Sequence, residues 1–220
     1  MDNVIDCNIV LKWIPKQGLN ADLLTKRFFD IMVSGIALLM LSPLLLAVAL
    51  WLRLDSSGPI LFSQTRVGKD GNLFTMWKFR SMYIDAEERK MALMKDNEIK
   101  GGVLFKMKKD PRITLVGRFI RKFSIDELPQ IWNVFIGDMS LVGPRPPLPS
   151  EVEKYTPYQR RRLRVTPGIT CIWQVSGRSD IPFKQQVELD LRYIANQSFF
   201  NDIVLLLKTV PAVVTARGAY

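Results

Sequence analysis

The densest polar cluster on an apolar background is the segment 123–130, in which Asp126 and Glu127 stand side by side. Adjacent carboxylates can serve as a nucleophile or as ligands for a hard metal ion. Ser124-x-x-Glu127 also fits a capping box, and that pattern alone favours plain helix capping. In the functional interpretation, the start of a helix would attract phosphate and keep a nearby carboxylate ionised.

Two arginines stand in loops where they could meet phosphate. Arg145 lies in the run Gly143-Pro144-Arg145-Pro146-Pro147, and Arg178 follows Ser176-Gly177. Guanidinium groups bind phosphate through two parallel hydrogen bonds, and loops between rigid elements often carry binding groups. A solvated surface charge is the simpler interpretation of either arginine alone. The run Arg160-Arg161-Arg162 indicates a helix facing lipid or solvent, and the chain carries no nucleic-acid readout motif.

Composition narrows the chemistry further. The 220 residues include 31 Lys+Arg, 21 Asp+Glu, 2 Cys and no His, which gives a formal net charge of +10. The lack of histidine excludes Ser-His-Asp and Cys-His triads and His-ligated metals. Two cysteines cannot supply a four-ligand zinc site or a disulfide framework. The chemistry must therefore use Asp, Glu, Lys, Arg, Ser, Thr or Tyr, and the basic body indicates an anionic partner.

The elements that position these residues begin with an apolar segment, 31–52, which contains no charged side chain. As a helix it would be roughly 33 Å long, enough to cross a hydrocarbon core of about 30 Å. Ser42-Pro43 near its middle predicts a kink, because proline cannot donate the helical hydrogen bond. A kinked spanning helix is favoured on sequence physics alone. Basic residues at both flanks, Lys26-Arg27 and Arg53, fit a re-entrant helix broken at Ser42-Pro43, with both ends cytoplasmic.

The remaining chain predicts a mainly α fold with a small β-hairpin. Residues 60–66 and 73–80 read as strands on either side of a turn at 68–72. Residues 112–123 place apolar side chains at helical spacing among basic ones, which predicts an amphipathic helix packed on the core or lying at a lipid interface. Further helices are expected at 84–97, 128–136, 150–163, 183–194 and 198–215.

A series of short motifs stands in a fixed order along residues 24–220. The motifs are Lys26-Arg27-Phe28-Phe29-Asp30, Ser42-Pro43, Gly58-Pro59-Ile60-Leu61-Phe62, Lys78-Phe79-Arg80-Ser81-Met82, Asp110-Pro111-Arg112-Ile113-Thr114, Ser124-x-Asp126-Glu127-Leu128-Pro129-Gln130, Asn133-Val134-Phe135-x-Gly137-Asp138-Met139-Ser140, Gly143-Pro144-Arg145-Pro146, Pro167-Gly168-Ile169-Thr170 and Gln174-Val175-Ser176-Gly177-Arg178. In these motifs the chain resembles the bacterial sugar transferase family, the monotopic polyprenyl-phosphate phosphoglycosyltransferases. It departs from them at Thr166, where a basic residue is usual, and at Cys171, where glycine is usual.

The resemblance implies that a sugar-1-phosphate moves from a UDP-sugar to undecaprenyl phosphate, with release of UMP. By the same resemblance Asp126 would be the nucleophile that forms a phosphosugar-aspartyl intermediate. Glu127 would serve Mg²⁺ or the lipid phosphate, and both carboxylates would be the magnesium ligands. The residues that the resemblance implies for substrate and phosphate binding are Lys78, Arg121, Arg145 and Arg178.

The resemblance also implies an organisation. Residues 1–25 would form a lead-in, 26–55 a re-entrant membrane helix, and 56–220 a catalytic domain on the cytoplasmic face of the bacterial inner membrane. The expected partners are a UDP-sugar, undecaprenyl phosphate and anionic membrane lipid, without nucleic acid. The choice between a monomer and a homodimer stays open.

Two alternatives concern the substrate and the class of function. The stretch Lys106-x-Lys108-x-Asp110-Pro111-Arg112 and the ending Arg217-Gly218-Ala219-Tyr220 resemble the hexose-1-phosphate members of exopolysaccharide synthesis, which favours glucose or galactose over an N-acetylated sugar. The second class of function is a basic, membrane-anchored binding module without chemistry. Asp126-Glu127 discriminates between the two classes, because a binding module has no need of this pair.

Overall fold

A computed structural model describes residues 19–93, 110–177 and 181–214 of the chain. The described parts are mainly helical with small sheets, as expected. The elements are α1 (Leu19–Asp55), β1 (Leu61–Val67), β2 (Leu73–Phe79), α2 (Ala86–Leu93), α3 (Leu115–Lys122), α4 (Gln130–Ile136), β3 (Ser140–Val142), α5 (Pro149–Val152), α6 (Pro157–Arg160), β4 (Gly168–Thr170), α7 (Ile172–Ser176), α8 (Phe183–Ala195) and α9 (Phe199–Val214). Short 3₁₀ turns occupy Lys69–Gly71, Ile125–Glu127 and Arg161–Arg164.

The predicted β-hairpin is confirmed. Strands β1 and β2 pair antiparallel, with Leu61 opposite Phe79 and Val67 opposite Leu73. The turn between them holds Asp70 and Gly71 at φ values of 55° and 87°. Aspartate and glycine are among the residues that adopt this left-handed backbone most readily, which is why the sequence signal was clear.

A second, parallel pair of strands was not predicted. Ser140 pairs with Gly168, and Val142 pairs with Thr170. The two strands approach so closely that a Cβ on Gly168 would lie 2.0 Å from the backbone nitrogen of Gly143. Only glycine fits at such a contact. The short strands are buried, and they hold the proline-rich loop after β3 next to the end of β4.

One helical prediction was wrong. Residues 150–163 do not form one helix but divide into α5, α6 and a 3₁₀ turn. Pro157 starts α6, because proline fits the first turn of a helix but not its interior. Thr156 caps the new helix, since its hydroxyl accepts from the backbone N–H of Gln159 at 3.3 Å. The predicted helix at 84–97 is α2 in its first part, and its end lies outside the described residues.

Helix α1 has the length and composition of a membrane helix. Within the described ranges it is the one helix long and apolar enough to cross a membrane, as judged by length and composition. Most of its apolar side chains face outward, and Leu39 and Met40 are 77% and 74% exposed. Apolar exposure of this extent needs an apolar environment.

Ser42 and Pro43 do not interrupt α1, which runs continuously from Leu19 to Asp55. Proline deprives the carbonyl four residues earlier, that of Leu39, of its N–H donor. The Ser42 hydroxyl donates to this same carbonyl at 2.8 Å. The replacement bond explains how the helix continues through the proline, whereas the re-entrant path stays a prediction.

The first turns of α1 are fastened to the rest of the protein by buried polar contacts. The Lys26 ammonium donates to Asp202 of α9 at 2.5 Å and to the Val142 carbonyl of β3 at 2.9 Å. The Asp30 carboxylate accepts from the backbone N–H of Leu141 at 3.1 Å. These contacts join α1 to the strand that precedes the proline-rich loop.

Two apolar clusters form the core. The larger lies between α4, β3, β4, α7, α8 and α9, and its fully buried members include Val134, Met139, Val142 and Leu205. The smaller lies where the end of α1 meets β2 and α3, and its members are Val48, Leu52, Phe79, Val116 and Ile120. Helix α3 thus turns one face to the core, as its helical spacing predicts.

Candidate active site

A cleft of about 490 Å³ opens between α3, α4, β4, α7 and α9. We call it the active-site cleft. Five of the six side chains singled out from the sequence line it: Lys78, Arg121, Asp126, Glu127 and Arg145. Arg178, the sixth, lies outside the described residues. The other lining residues are Phe123, Ser124, Leu128, Ile131, Leu141, Ile169, Thr170, Trp173, Gln174, Val175, Leu206, Thr209, Ala212 and Val213.

Asp126 and Glu127 occupy the 3₁₀ turn between α3 and α4. The capping box that the sequence pattern favours does not form at this turn. Ser124 has φ 55° and ψ 21°, and its side chain makes no capping hydrogen bond. Its left-handed backbone bends the chain sharply after α3. The two carboxylates after the bend line the cleft.

Burial sets the charge state of Asp126, which is only 8% exposed. Loss of solvation raises the pKa of its carboxyl to about 6, with Glu127 acting in the same direction and Lys78 and Arg121 opposing. Burial thus makes this carboxyl a weaker acid than an exposed aspartate, although a group with a pKa of about 6 is still mostly ionised at pH 7. A buried carboxylate with a raised pKa is a recognised mark of functional sites.

Lys78 and Glu127 form an ion pair within the cleft. The Lys78 ammonium donates to a Glu127 carboxylate oxygen at 2.7 Å. Asn133 of α4 holds β2 in place for this pair. Its side chain accepts from the backbone N–H of Trp77 at 3.1 Å and donates to the Thr75 carbonyl at 2.7 Å. Asn133 is completely buried and was not recognised from the sequence as a residue that positions the site.

Arg121 and Arg145 bring positive charge to the cleft. Both are half-buried, and the guanidinium of neither makes a hydrogen bond or salt bridge with another described residue. Arg66, buried nearby, shows how strongly cations are crowded here. Desolvation, followed by the repulsion of Arg145, lowers the pKa of the Arg66 guanidinium to about 10. Guanidinium groups without a hydrogen-bond partner in the described part of the chain, such as those of Arg121 and Arg145, are suited to bind phosphate oxygens.

The residues present fit Mg²⁺ if the ion arrives with phosphates. Within the described ranges, no group of three or more Asp, Glu and Cys side chains could hold a metal by itself. Mg²⁺ is commonly bound by one or two carboxylates together with substrate phosphates and water. Asp126 and Glu127 are two such carboxylates in a cleft that also offers phosphate-binding arginines.

The two departures from the family motifs do not line the cleft, but one of them contacts it indirectly. Cys171 is fully buried at the start of α7, and its thiol donates to the side-chain oxygen of Gln174 at 3.0 Å. Gln174 itself lines the cleft. The cleft-lining residues of α9, among them Leu206 and Thr209, were also missed from the sequence. Nothing in the periodicity of α9 says that one of its sides faces the carboxylates.

Comparison with known proteins now assigns the class. A family model described as bacterial sugar transferase matches residues 21–216. The chain belongs to this family of enzymes, and the resemblance seen in its motifs is confirmed.

Individual relatives are similar to this chain over most of its length. The chain is 48% identical over 198 residues to the galactosyl transferase CpsE of Streptococcus agalactiae serotype III (strain NEM316), with 90% of this chain and 44% of that protein covered. It is 45% identical over 199 residues to the undecaprenyl-phosphate galactose phosphotransferase of Salmonella typhimurium, with 89% and 41% covered. It is 38% identical over 200 residues to the exopolysaccharide production protein ExoY of Sinorhizobium fredii, with 90% and 88% covered. The chain thus spans less than half the length of the first two relatives.

Proposed function

We propose that this chain transfers hexose-1-phosphate, with glucose or galactose as the hexose, from a UDP-hexose to undecaprenyl phosphate and releases UMP. This would be the first membrane step in the synthesis of a polysaccharide. The observation that carries the proposal is the composition of one cleft, in which the buried Asp126 and the half-buried Glu127 stand beside two arginines and an apolar wall. The names of the relatives, which mention galactose, undecaprenyl phosphate and exopolysaccharide, support the same substrates.

In the first half-reaction a carboxylate oxygen of Asp126 attacks the phosphorus that carries the sugar. A bond forms between them, and the bond from this phosphorus to the bridging oxygen of the diphosphate breaks. UMP leaves with the electron pair. In the second half-reaction an oxygen of undecaprenyl phosphate attacks the same phosphorus, and the bond to Asp126 breaks. The product is undecaprenyl diphosphate hexose, and the carboxylate is regenerated, so ping-pong kinetics are expected.

The surroundings of Asp126 suit this role. Phosphoryl transfer depends mainly on positioning and on neutralising charge. Arg121 and Arg145 would bind the phosphates, and Lys78 orients Glu127 through their ion pair. A pKa of about 6 leaves Asp126 mostly ionised at pH 7 but poorly hydrated, as a nucleophile needs. Mg²⁺ bound by Asp126, Glu127 and the substrate would neutralise charge on the diphosphate.

The apolar wall of α9 suits the lipid acceptor. Leu206, Ala212 and Val213 line the cleft, while Leu207 and Val210 of the same helix are exposed. The helix also lies close to α1, since Phe29 and Phe199 pack edge to face with ring centroids 5.2 Å apart. A lipid held in the membrane beside α1 could therefore place its phosphate among the arginines.

We further propose that α1 is re-entrant, with both its ends on the cytoplasmic side of the inner membrane. The basic flanks of the apolar segment support this topology. Cysteines introduced near residues 5 and 217, in a chain whose Cys7 is replaced by serine, should both resist periplasmic labelling in whole cells. Labelling at the N-terminal site alone would establish a spanning helix instead.

The central experiment uses purified protein, UDP-hexose and Mg²⁺ without lipid. Wild-type protein should release about one UMP per chain and gain the mass of one hexose phosphate on the peptide that contains Asp126. Asp126→Asn should show neither, and Asp70→Asn, which alters an exposed turn aspartate in the same way, should behave as wild type. Folded wild-type protein that releases no UMP from any common UDP-sugar would favour the non-catalytic binding module.

A panel of UDP-sugars tests the choice of sugar. With undecaprenyl phosphate present, mass spectrometry of the lipid product should show hexose from UDP-glucose or UDP-galactose. A clear preference for an N-acetylated sugar would reject the hexose and leave the reaction type intact.

A further inference from the structure

The active-site cleft is also lined by uncharged polar side chains. Thr170 at the end of β4, Gln174 on α7 and Thr209 on α9 line the cleft together. The proposed mechanism uses none of these side chains. Neutral hydrogen-bonding groups beside a phosphate-binding region suit the uncharged parts of a nucleotide sugar, which are hydroxyl and carbonyl groups.

The hydroxyl hydrogens of both threonines are already used within the protein. The Thr209 hydroxyl donates to the Leu205 carbonyl at 2.8 Å. The two threonine hydroxyls are 2.8 Å apart, so the Thr170 hydroxyl must donate to Thr209, whose own hydrogen is spent. Each hydroxyl has a single hydrogen. The threonines therefore offer a ligand only acceptor lone pairs.

Gln174, in contrast to the two threonines, offers a free hydrogen-bond donor. Its side-chain oxygen accepts from the Cys171 thiol at 3.0 Å, and its amide NH₂ donates to no described residue. Full burial raises the pKa of the Cys171 thiol well above its ordinary value, so the thiol keeps its hydrogen and remains a donor. Because the thiol binds the amide oxygen of Gln174, the amide NH₂ group points away from the thiol. The NH₂ group is thereby left as a donor for a ligand in the cleft.

We propose that Gln174 is a donor-substrate specificity residue, whose amide NH₂ binds a neutral oxygen acceptor of the nucleotide sugar, and that Cys171 is the residue that positions this amide. The acceptor is a hydroxyl of the hexose or a carbonyl or hydroxyl of the uridine. The inference rests on the proposed function, because it assigns a subsite of the same cleft. It gives a role to Cys171, which departs from the glycine usual in the family.

Steady-state kinetics with UDP-hexose and undecaprenyl phosphate test the assignment. Gln174→Ala should raise the KM for UDP-hexose about 5-fold, the effect of one lost hydrogen bond, with little change in kcat or in the KM for the lipid. Gln174→Glu keeps the shape and the contact with the thiol but cannot donate, so it should raise this KM at least as much. Gln159→Ala is the matched control, because Gln159 accepts a local backbone N–H on α6, away from the cleft.

Cys171 is tested through Gln174. Cys171→Ala should raise the KM for UDP-hexose about 3-fold. Cys171→Ser retains a hydrogen-bond donor, so its KM should stay close to that of wild type. The double variant with Gln174→Ala should be no worse than Gln174→Ala alone, since both changes remove the same interaction. Independent, multiplying effects would show that Cys171 acts only through packing and would overturn its positioning role.

Inhibition by UMP separates the two acceptor sources. An unchanged UMP inhibition constant in Gln174→Ala locates the contact on the hexose, and a parallel rise locates it on the nucleotide. The inference is overturned if Gln174→Ala and Gln174→Glu leave the KM for UDP-hexose unchanged, or if they raise only the KM for the lipid. In either case, turnover by the wild-type protein would still support the proposed function. Wild-type protein without UMP release overturns both.

Discussion

Replacing Asp126 with asparagine should stabilise the protein at neutral pH while it removes the proposed nucleophile. Burial raises the pKa of this carboxyl from its usual 3.8 to about 6. Each pH unit of such a difference corresponds to 1.36 kcal/mol, so the buried charge costs about 3 kcal/mol of folding free energy at pH 7. Asparagine keeps the shape and carries no charge, so the variant should recover an amount of this order.

The gain should depend on pH in a defined way. Between pH 3.8 and about 6 the folded protein binds the Asp126 proton more tightly than the unfolded chain does. Wild-type stability at this site is therefore fully present below pH 3.8 and is lost as pH rises to about 6. Asp126→Asn lacks this titration. The two proteins should be equally stable near pH 3.5 and differ fully by pH 7.

Denaturant or thermal unfolding in one detergent at pH 4, 5.5 and 7 measures the difference. Asp70→Asn, an exposed change in the hairpin turn, should alter the free energy of unfolding by no more than about 0.5 kcal/mol at any pH. The refuting result is an Asp126→Asn protein that is less stable than wild type at pH 7. A loss of up to about 1 kcal/mol, independent of pH, is what a capping role of this segment predicts.

Other sites give further tests. The acid limb of the profile of kcat/KM against pH should have an apparent pKa of about 6, and Lys78→Met should move it upward, because Lys78 lowers the pKa of Asp126; a limb near 4 would contradict this assignment. Lys26→Met should destabilise the protein by about 3 kcal/mol, since it leaves Asp202 buried without its cation, and Lys26→Met/Asp202→Leu should recover much of the loss in unfolding experiments. Gly168→Ala should prevent folding or reduce the melting temperature sharply, because its Cβ would overlap the backbone of β3; a normal melting curve would contradict the close approach.

How well the sequence predicts the fold depends on whether the signal is local. The β-hairpin was predicted almost to the residue because its turn uses aspartate and glycine in backbone conformations that few residues accept. The parallel pair of β3 and β4 was missed, since strands of three residues carry no usable periodicity and their pairing joins distant segments. The single helix expected at 150–163 failed because the proline at 157 starts a new helix.

The candidate site shows the same limit. Six charged side chains were named from the sequence, and the five that lie in the described residues meet in one cleft. Asn133 and Gln174 were present in the motifs without an assigned role, and Thr209 was not singled out, although Asn133 holds β2 against α4 and the other two line the cleft. Their roles come from contacts between elements far apart in the chain, which residue types and local spacing do not express.

The turn at Ser124 shows why the local pattern pointed the wrong way. A capping box needs the Glu127 side chain to reach back to the backbone of Ser124, three residues earlier. In the structure the carboxylate instead binds Lys78, 49 residues earlier, at 2.7 Å. A carboxylate binds an ammonium group more strongly than a neutral backbone N–H in a partly buried cleft, because both partners then carry charge, so the distant partner prevails over the near one. With Glu127 drawn to Lys78 and Ser124 in a left-handed conformation, Asp126 is left buried without a cap, which is the state that raises its pKa. Considered alone, residues 124–127 therefore predict a stabilising helix cap. With β2 packed against them, the same residues instead place a destabilising, reactive carboxylate at Asp126.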